Sequence, residues 1–510
     1  MEHITNARWS LHSKRAETAL TLCLMSWGYV GCLADPDRQP EASLQVSSLF
    51  AAPEPRDPED PLSRSFALRV IAEELQAPYD LAYGPDGALW LSERVGKRIL
   101  RVDPETGEQS TVVTIDEAHQ SGGQDGVLGF AFHPQLLQGQ GNDYVYVAYT
   151  YDADASDALE RRTKIVRYTY DTTAHTLSEP GEIISGLAGS NDHNSGRLLY
   201  GPDSKLYYSI GDQGNNQFDR KCRSIVAQQL PSEAAVSAND YSRYQGKVLR
   251  LELDGSIPAD NPLINRVRSH IYSYGHRNPQ GLAFGSDGAL YSSEHGPKSD
   301  DEINLIRAGR NYGWPRVSGF RDDSAYVYGN WSEAADCEDL EFSDYVIPDS
   351  VPQYRESDWF SPRFTPPLIT FYTVPSDYEF VDPACAGSEY ICWPTIAPSS
   401  LAVYEPGSDG VPGWGPSLLV PSLKEGSVFR VALSEDRRTV VGRGSRLFGT
   451  TNRYRDVAVG PDHRTFYVIT DLSGNTSGPT EGSTANLEHR GAILEFRYQP
   501  DASDSDAGID

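Results

Sequence analysis

Short runs that alternate apolar and polar residues recur along the chain, and each pair of runs is joined by a tight turn. Four copies are closely alike: LAYGPDGALWLSE from Leu81, LLYGPDSKLYYSIGD from Leu198, LAFGSDGALYSSE from Leu282 and VAVGPDHRTFYVITD from Val457. Pro fixes φ in the turn and Gly permits positive φ, so the flanking runs are expected to pair as antiparallel hairpins. A degenerate copy runs from Gly129 into DYVYVAYT.

The copies are separated by roughly 50 to 85 residues, a spacing typical of propeller blades that carry long loops. No long stretch of the sequence has competing helical periodicity. We therefore predict an all-β fold, a six-bladed β-propeller of four-stranded antiparallel sheets. Its long loops are expected to gather at one end of the central channel.

The ends of the chain differ in composition from this middle part. Residues 1–32 place basic residues before a short apolar run and are predicted to be an export signal. The sequence YVGC, which ends at Cys32, loosely resembles a lipobox, so lipidation at Cys32 and ordinary cleavage both stay open. Residues 33–64 predict an acidic, Pro-rich linker, residues 65–500 the propeller, and residues 501–510 an acidic disordered tail. We expect a periplasmic or extracellular protein.

Charge and cysteines narrow the function. The 44 Lys and Arg residues face 72 Asp and Glu residues, a formal net charge of −28, which argues against a nucleic-acid partner. Export permits disulfides. Cys385 and Cys392 in CAGSEYIC can close a small loop, while Cys222 and Cys337 remain as a distant pair. Neither pair has metal-ligand spacing with a nearby histidine, so we interpret all four as structural.

A polar run, HRNPQ, stands immediately before the hairpin that starts at Leu282. It has no apolar periodicity, and polar residues at the end of a strand are where sites are commonly built. Arg277 and Asn278 are therefore candidates for the rim of an active site. The alternative is that they only hold a loop in place.

A second polar cluster flanks the hairpin that starts at Leu198. Asp192 and His193 precede its first strand and Asp212 follows its second, so the three side chains are expected at the same end of one blade. A carboxylate paired with the imidazole would fix its tautomer and raise its basicity, as a general base requires. A surface histidine beside acids is the alternative.

A third cluster is cationic and contains Lys424, Arg453 and Arg455. Residues two apart on a strand point to the same face, so the two arginines can converge on one anion. Guanidinium groups bind polycarboxylates and phosphates in a bidentate manner. Ion pairs with the protein's own Asp and Glu residues are an equally weighted alternative.

Taken in order, six motifs closely resemble the soluble quinoprotein glucose dehydrogenases, exported bacterial enzymes that use pyrroloquinoline quinone (PQQ) and calcium on a six-bladed propeller: SYGHRNPQGLAF, SDDEINLI, NYGWP, YICWPTIAPSS, LLVPSLK and NRYRDV. The resemblance runs from about Gln76 to Tyr498. It implies oxidation of glucose, and of other aldoses, at C1 to the lactone. The natural electron acceptor is not identified.

The resemblance also implies a role for each matching residue. His193 would be the general base, Asp212 would orient it, and Arg277 would polarise the quinone oxygen. The residues that would hold PQQ are Arg277, Asn278, Thr395, Lys424, Arg453 and Arg455. The residues that would contact the sugar are Gln124, Asp192, Gln217, Tyr390 and Trp393.

Two calcium regions are implied in the same way. The carbonyls of Gly296 and Pro297 would bind the calcium that anchors PQQ. A second region, which in the family supports a homodimer, would use the Ser318 and Phe320 carbonyls with Asp322 and Glu356. Residues 218–244 and 328–351, which contain Cys222 and Cys337, depart from the family in length or content, so strict glucose preference does not follow.

Two other functions were weighed. A calcium-dependent propeller lactonase would need carboxylate and asparagine ligands in the channel, and the cations Lys424, Arg453 and Arg455 argue against it. A propeller that binds a sugar or another ligand without catalysis should lack His193, Asp212 and Arg277. The sequence contains this set in full.

Overall fold

The structure is a computed structural model that describes residues 57–154, 156, 158–477 and 483–499. The predicted export signal with Cys32, most of the predicted linker and the predicted C-terminal tail lie outside the described residues. Among the described residues, no helix is long and apolar enough to cross a bilayer.

Six four-stranded antiparallel sheets are present in this part of the chain. Strand β1 (Phe66–Ala72) belongs to the last blade. The first blade contains β2 (Pro78–Tyr83), β3 (Leu89–Glu93), β4 (Arg98–Val102) and β5 (Gln109–Thr114). The second contains β6 (Val127–Phe132), β7 (Tyr144–Asp152), β8 (Arg161–Asp171) and β9 (Thr176–Ala188).

The third and fourth blades each carry a long insertion with a small hairpin. The third contains β10 (Ser195–Tyr200), β11 (Leu206–Ile210) and β12 (Lys247–Leu251), then the hairpin β13 (Leu263–Ile264) and β14 (Val267–Arg268), then β15 (Ile271–Tyr274). The fourth contains β16 (Pro279–Phe284), β17 (Leu290–Glu294) and β18 (Asp301–Ile306), then the hairpin β19 (Tyr328–Gly329) and β20 (Gln353–Tyr354), then β21 (Ile369–Phe371).

The last two blades complete the ring. The fifth contains β22 (Ala402–Tyr404), β23 (Ser417–Pro421), β24 (Val428–Ala432) and β25 (Ser445–Leu447). The sixth contains β26 (Tyr454–Val459), β27 (Thr465–Thr470) and β28 (Ile493–Tyr498), and β1 completes it. Pairing of β1 with β28, from Phe66 opposite Tyr498 to Ala72 opposite Ile493, joins the two ends of the ring. The prediction of a six-bladed β-propeller is confirmed.

Helices are short. The described residues contain the helix α1 (Glu233–Ser237) and single 3-10 turns at Ser63–Ser65, Phe218–Arg220, Trp331–Glu333, Cys337–Asp339, Glu356–Asp358, Pro383–Cys385 and Glu389–Ile391. Most of these turns lie in the long connections of the third to fifth blades. The regular strands therefore form the scaffold, and the insertions supply the loops around one end of the channel.

The repeated sequence unit forms the hairpins that it predicts, namely β2–β3, β10–β11, β16–β17 and β26–β27. In the first of them, Gly87 has a φ of 77° and the Asp86 carboxylate accepts hydrogen bonds from the Ala88 amide and from Trp90 Nε1. The first strand of each blade neighbours the first strands of the adjacent blades, so these six strands surround the channel.

The predicted boundary between linker and propeller at residue 64 is wrong. The main chain at Glu59 bridges to Arg446 in β25. The buried Asp60 carboxylate accepts hydrogen bonds from Arg430 Nε at 3.0 Å and from Ser445 Oγ at 2.7 Å. The acidic composition indicated solvent exposure, but distant residues of the fifth blade pair with this acid, so the domain begins by residue 57.

The predicted Cys385–Cys392 disulfide is present, and Cys222 and Cys337, whose pairing the sequence left open, also form a disulfide. The first closes a short loop. The second joins the connection between β11 and β12 of the third blade to the insertion between β18 and β21 of the fourth blade.

Candidate active site

A buried histidine and carboxylate form the centre of the site. His193 precedes β10 and Asp212 follows β11, and the Nδ1 of His193 lies 2.7 Å from Oδ1 of Asp212. The second oxygen of Asp212 accepts a hydrogen bond from Trp314 Nε1 at 2.8 Å. An ionised carboxylate only accepts hydrogen bonds, so Nδ1 carries the proton and Nε2 keeps its lone pair. The pair has the arrangement of an oriented general base.

Asp192 links the histidine to two of the predicted sugar-binding residues. Its Oδ1 accepts hydrogen bonds from Gln124 Nε2 at 2.8 Å and from the His193 amide at 2.9 Å, and its Oδ2 accepts from Gln217 Nε2 at 3.2 Å. Burial acts to raise the pKa of Asp192, but attraction to His193 in its protonated form and to Arg277, with the hydrogen bond from the His193 amide, outweighs it and holds the pKa below its usual value. Asp192 therefore stays an anion that holds both amides beside the base.

The backbone around this centre is held in unusual conformations. Four residues other than glycine have positive φ there, namely His193 at 42°, Ser195 at 54°, Gln213 at 68° and Asn216 at 66°. Such strain persists only where surrounding contacts impose it, and it concentrates at functional sites.

The HRNPQ run contains one residue that supports the loop and one that lines a cavity. His276 is fully buried, with Nδ1 2.9 Å from Glu294 Oε2 and Nε2 2.9 Å from Ser273 Oγ, so it supports the loop. The Arg277 guanidinium lies over the Trp314 ring, 5.4 Å from its centroid, and lines a cavity.

Two donors at this point have no acceptor among the described residues: Arg277 Nε and Asn278 Nδ2. Asn278 Oδ1, in contrast, accepts hydrogen bonds from Ser195 Oγ and from Gln280 Nε2. Buried donors without partners are costly unless a ligand satisfies them. The pair therefore fits a ligand rich in carbonyl or carboxylate oxygens.

Lys424 contacts two further predicted residues. Its Nζ donates to Thr395 Oγ1 at 2.5 Å and to the Trp393 carbonyl at 2.7 Å. The Trp393 indole donates to Tyr345 Oη at 3.0 Å, and Tyr390 is exposed on the same segment. The predicted cofactor residues Thr395 and Lys424 are thus in contact, and the two predicted apolar sugar contacts lie beside them.

The paired arginines point to the same side of the sheet, and an anion of the protein itself lies between them. Arg455 forms a two-pronged contact with Asp471, with Nε 2.9 Å from Oδ1 and Nη2 2.8 Å from Oδ2, and Arg453 Nε lies 3.3 Å from Oδ2. Although burial acts to raise it, the charges of Arg455 and Arg453 hold the pKa of Asp471 below its usual value. This is the ion-pair alternative that the sequence left open, and any ligand at this point shares the arginines with Asp471.

Sequence reasoning identified only Asp212 in a set of acids that organise the site. The second strand of every repeated hairpin ends at or just before an acid, namely Glu93, Asp212, Glu294 and Asp471. Three of them contact residues of the site: Asp212 contacts His193, Glu294 contacts the Arg277 amide, and Asp471 contacts Arg455. The acid at the same place in each repeat was the signal that could have identified Glu294 and Asp471.

The predicted calcium ligands fall in two places. Pro297 lines the same cavity as Arg277, and the Gly296 amide donates to Asp301 Oδ1 at 2.8 Å. No cluster of three or more His, Cys, Asp or Glu side chains suited to a metal occurs in the part of the chain that the structure describes. The predicted first site, however, consists of main-chain carbonyls, which calcium accepts readily.

The predicted second calcium region is brought together in one loop. Buried Glu356 accepts the Ser318 amide with Oε1 and the Asp322 and Asp323 amides with Oε2, each at 3.0 Å. Phe320 lies between them in the loop with its side chain exposed. Burial raises the pKa of Glu356 to about 7 in spite of these donors. A cation beside it would favour the charged form.

His295 belongs to the site although the sequence assigned it no role. Its Nε2 lies 3.0 Å from the Pro398 carbonyl and therefore donates to it. Burial, together with the charges of Arg277 and His193, lowers the pKa of His295 well below its usual value. His295 is therefore a neutral side chain that is near enough to Arg277 for its charge to affect it.

Comparison with known proteins gives consistent matches. A family model described as Glucose / Sorbosone dehydrogenase matches residues 75–352 and 378–478. The chain is 47% identical over 442 residues to quinoprotein glucose dehydrogenase B of Acinetobacter calcoaceticus, covering 86% of this chain and 92% of that protein. It is 27% identical over 432 residues to the aldose sugar dehydrogenase YliI of Escherichia coli (strain K12), covering 84% of this chain and 93% of that protein.

The fold has solved counterparts. The PQQ-bound form of an aldose sugar dehydrogenase from Streptomyces coelicolor superposes with a TM-score of 0.55 at 25% sequence identity, covering 86% of this chain and 99% of that one.

Proposed function

The chain belongs to the glucose / sorbosone dehydrogenase family of sugar oxidoreductases, and from this premise we propose that it oxidises glucose and other aldoses at C1 to the lactone, with PQQ and calcium as cofactors. The observation that carries the proposal is the His193–Asp212 pair, in which Nε2 of His193 lies 3.8 Å from Oδ1 of the anion Asp192.

His193 acts as the general base in this proposal. Its Nε2 accepts the proton of the C1 hydroxyl, and Asp212 stabilises the imidazolium that forms because it already accepts the Nδ1 proton. Asp192, with Gln124 and Gln217, forms hydrogen bonds to the sugar hydroxyls and sets the distance of C1 from the base.

The chemistry of the surrounding donors fits PQQ, which carries carboxylates and carbonyl oxygens. When bound, PQQ supplies the two-electron acceptor for the hydride that leaves C1. The partnerless donors Arg277 Nε and Asn278 Nδ2 would bind its oxygens, and Lys424 with Thr395 would hold another acidic edge. The fixed charge of Arg277 stabilises negative charge as it develops, without any reorganisation of solvent.

Calcium fits the carbonyls of Gly296 and Pro297 because hard cations prefer oxygen ligands and Pro297 lines the cavity next to Arg277. A second calcium would offset the negative charges of Glu356 and Asp322 and would support a homodimer. Export to the periplasm or the exterior, with or without a lipid anchor at Cys32, and an unidentified electron acceptor complete the proposal.

The test is reconstitution of purified, metal-stripped protein with PQQ and calcium, assayed with glucose and a redox dye. Each component is left out in turn. Turnover that requires both PQQ and calcium would support the proposal. Spectral evidence of PQQ binding without glucose turnover would point to another sugar, whereas absence of PQQ binding would favour a propeller that only binds a ligand.

A further inference from the structure

The cavity beside Arg277 has an outer wall that comes from a long insertion. We call residues 328–351 the wall segment and residues 213–223 the site loop. Gln217 of the site loop and Trp331, Phe342 and Asp344 of the wall segment all line the cavity. The width of the cavity therefore depends on how these two segments are held relative to each other.

A disulfide and a small apolar core connect the two segments. Cys222 of the site loop is bonded to Cys337 of the wall segment. Around this bond, Trp331 and Cys337 form a buried cluster in which the Trp331 ring lies 5.1 Å from the Phe342 ring. Phe218 adds a second aromatic contact, with its ring 5.1 Å from that of Phe342. This core is separate from the blade cores. The disulfide is therefore an important connection between the wall segment and the site loop.

Asn216 links the wall segment to the residues of the site. Its Nδ2 donates to the Gly329 carbonyl at 2.8 Å, and its Oδ1 accepts from the Ser332 amide at 3.2 Å. The side chain is buried, and the residue has a φ of 66°, which a glycine tolerates without cost. The next residue is Gln217, which donates to Asp192.

We propose that Asn216 and the Cys222–Cys337 disulfide are positioning residues for the substrate: they hold the wall segment against the site loop and so fix the width of the sugar cleft and the place of Gln217. The inference rests on the proposed function, because it takes the ligand of the cavity to be the sugar. Neither residue touches the reacting atoms. Their loss should therefore change KM and the preference among sugars, while leaving kcat and PQQ affinity nearly as they are.

The first test is Asn216→Gly in the full chain loaded with PQQ and calcium. Glycine keeps the positive φ, so only the two side-chain hydrogen bonds are removed. Loss of one to two kcal/mol of sugar binding corresponds to a rise in KM of about 5- to 30-fold, with kcat changed by less than about 2-fold. Asn239→Gly is the matched control, because Asn239 also has positive φ, 52°, but is exposed in the same insertion and does not line this cavity.

The second test is Cys222→Ser combined with Cys337→Ser, which should raise KM in the same direction. A wild-type KM in a folded Asn216→Gly variant would overturn the inference. So would equal changes of KM and kcat in both the Asn216→Gly variant and the double serine variant.

Amide hydrogen exchange on the protein without PQQ or calcium separates this inference from the proposed function. The Ser332 amide, which Asn216 holds, should exchange faster in Asn216→Gly and in the double serine variant, but not in Asn239→Gly. Unchanged exchange would refute the coupling between the two segments. Absence of sugar turnover in the wild-type protein would instead count against the proposed function.

Discussion

Arg197 and Arg277 are both buried arginines beside the channel, yet the protein surrounds them very differently. Arg197, on β10, binds the carboxylates of Asp80 and Asp456 and donates to the Gln280 carbonyl at 3.3 Å. These partners lie on β2, β26 and β16, so one guanidinium joins four blades. Arg277 forms no ion pair with any described residue and contacts the face of Trp314 instead.

The difference distinguishes a structural cation from one available to a ligand. A buried charge is tolerated only when it is paired, and two aspartates satisfy this requirement for Arg197. Each guanidinium has one buried nitrogen without an acceptor among the described residues, Nη2 in Arg197 and Nε in Arg277, but Arg277 has no carboxylate partner there and lines a cavity, where an anionic ligand would satisfy it. The pairing of each cation therefore says more about its role than its burial or its position in the sequence.

The largest effect is expected at the base. His193→Ala should lower turnover by about 100- to 10,000-fold, because the proton of the C1 hydroxyl then has no acceptor oriented by Asp212. PQQ affinity and the melting temperature should stay close to wild type. The measurement is dye reduction in the reconstituted enzyme, with His133→Ala as a control for loss of a buried imidazole away from the site. Unchanged turnover in His193→Ala would remove this residue from the mechanism.

Arg197→Met tests the structural side of the comparison. It leaves Asp80 and Asp456 buried without a counter-charge, and loss of one partner of a buried pair costs about 3–5 kcal/mol of folding free energy. Denaturant unfolding followed by circular dichroism should therefore show a clear loss of stability. The fraction that stays folded should still bind PQQ. Wild-type stability would mean that the blades do not depend on this network.

Arg277→Met is the matched substitution at the site and should give the opposite result. Unfolding should be affected much less than in Arg197→Met, because Arg277 forms no ion pair with a described carboxylate and only its longer-range attraction to Asp192 is lost. Turnover should fall by about 100- to 1,000-fold, the usual loss when one preorganised donor is removed from a developing negative charge. Equal losses of stability in Arg197→Met and Arg277→Met would contradict the distinction between the two arginines.

Much of the fold follows from local sequence chemistry, and the exceptions have identifiable causes. The Gly-Pro-Asp turns predict four hairpins because Pro, Asp and Gly favour the turn regardless of context. The fifth blade was not found by the repeat because β22 and β23 are joined by a longer connection, residues 405–416. The linker boundary was missed because the partners of Asp60 come from β24 and β25, far away in the sequence.

The site divides in the same way. His193 and Asp212 could be placed together because they flank one hairpin of known geometry. Hairpin geometry also applies to Arg455 and Asp471, which flank β26–β27, but the sequence could not say whether the arginine binds this acid or a ligand. The contact of Asn216 with the wall segment could not be predicted, since it joins two loops without periodicity.

The smallest effect concerns the protonation of the Arg197 network. Burial raises the pKa of Asp80 to about 7, because the charge of Asp456 adds to it and Arg197 only partly opposes it. This pKa lies above the usual value for Asp, so the folded state binds a proton that the unfolded state releases between about pH 4 and pH 7. The stabilisation is fully present below the usual pKa and is lost as pH rises through about 7.

Asp80→Asn should therefore flatten the decline of the melting temperature between about pH 5 and pH 7, an interval above the usual pKa of Asp and below that of Asp80, in calcium-saturated protein, because the amide cannot ionise. Asp86→Asn is the control: despite partial burial, hydrogen bonds from Arg101 and Trp90 hold the pKa of Asp86 below its usual value, so it does not titrate in this range. The difference between wild type and Asp80→Asn isolates this one carboxyl from other groups that titrate near neutrality. A decline as steep in Asp80→Asn as in wild type would mean that Arg197 keeps both aspartates charged, and the network would then be an ion triad rather than a proton-sharing one.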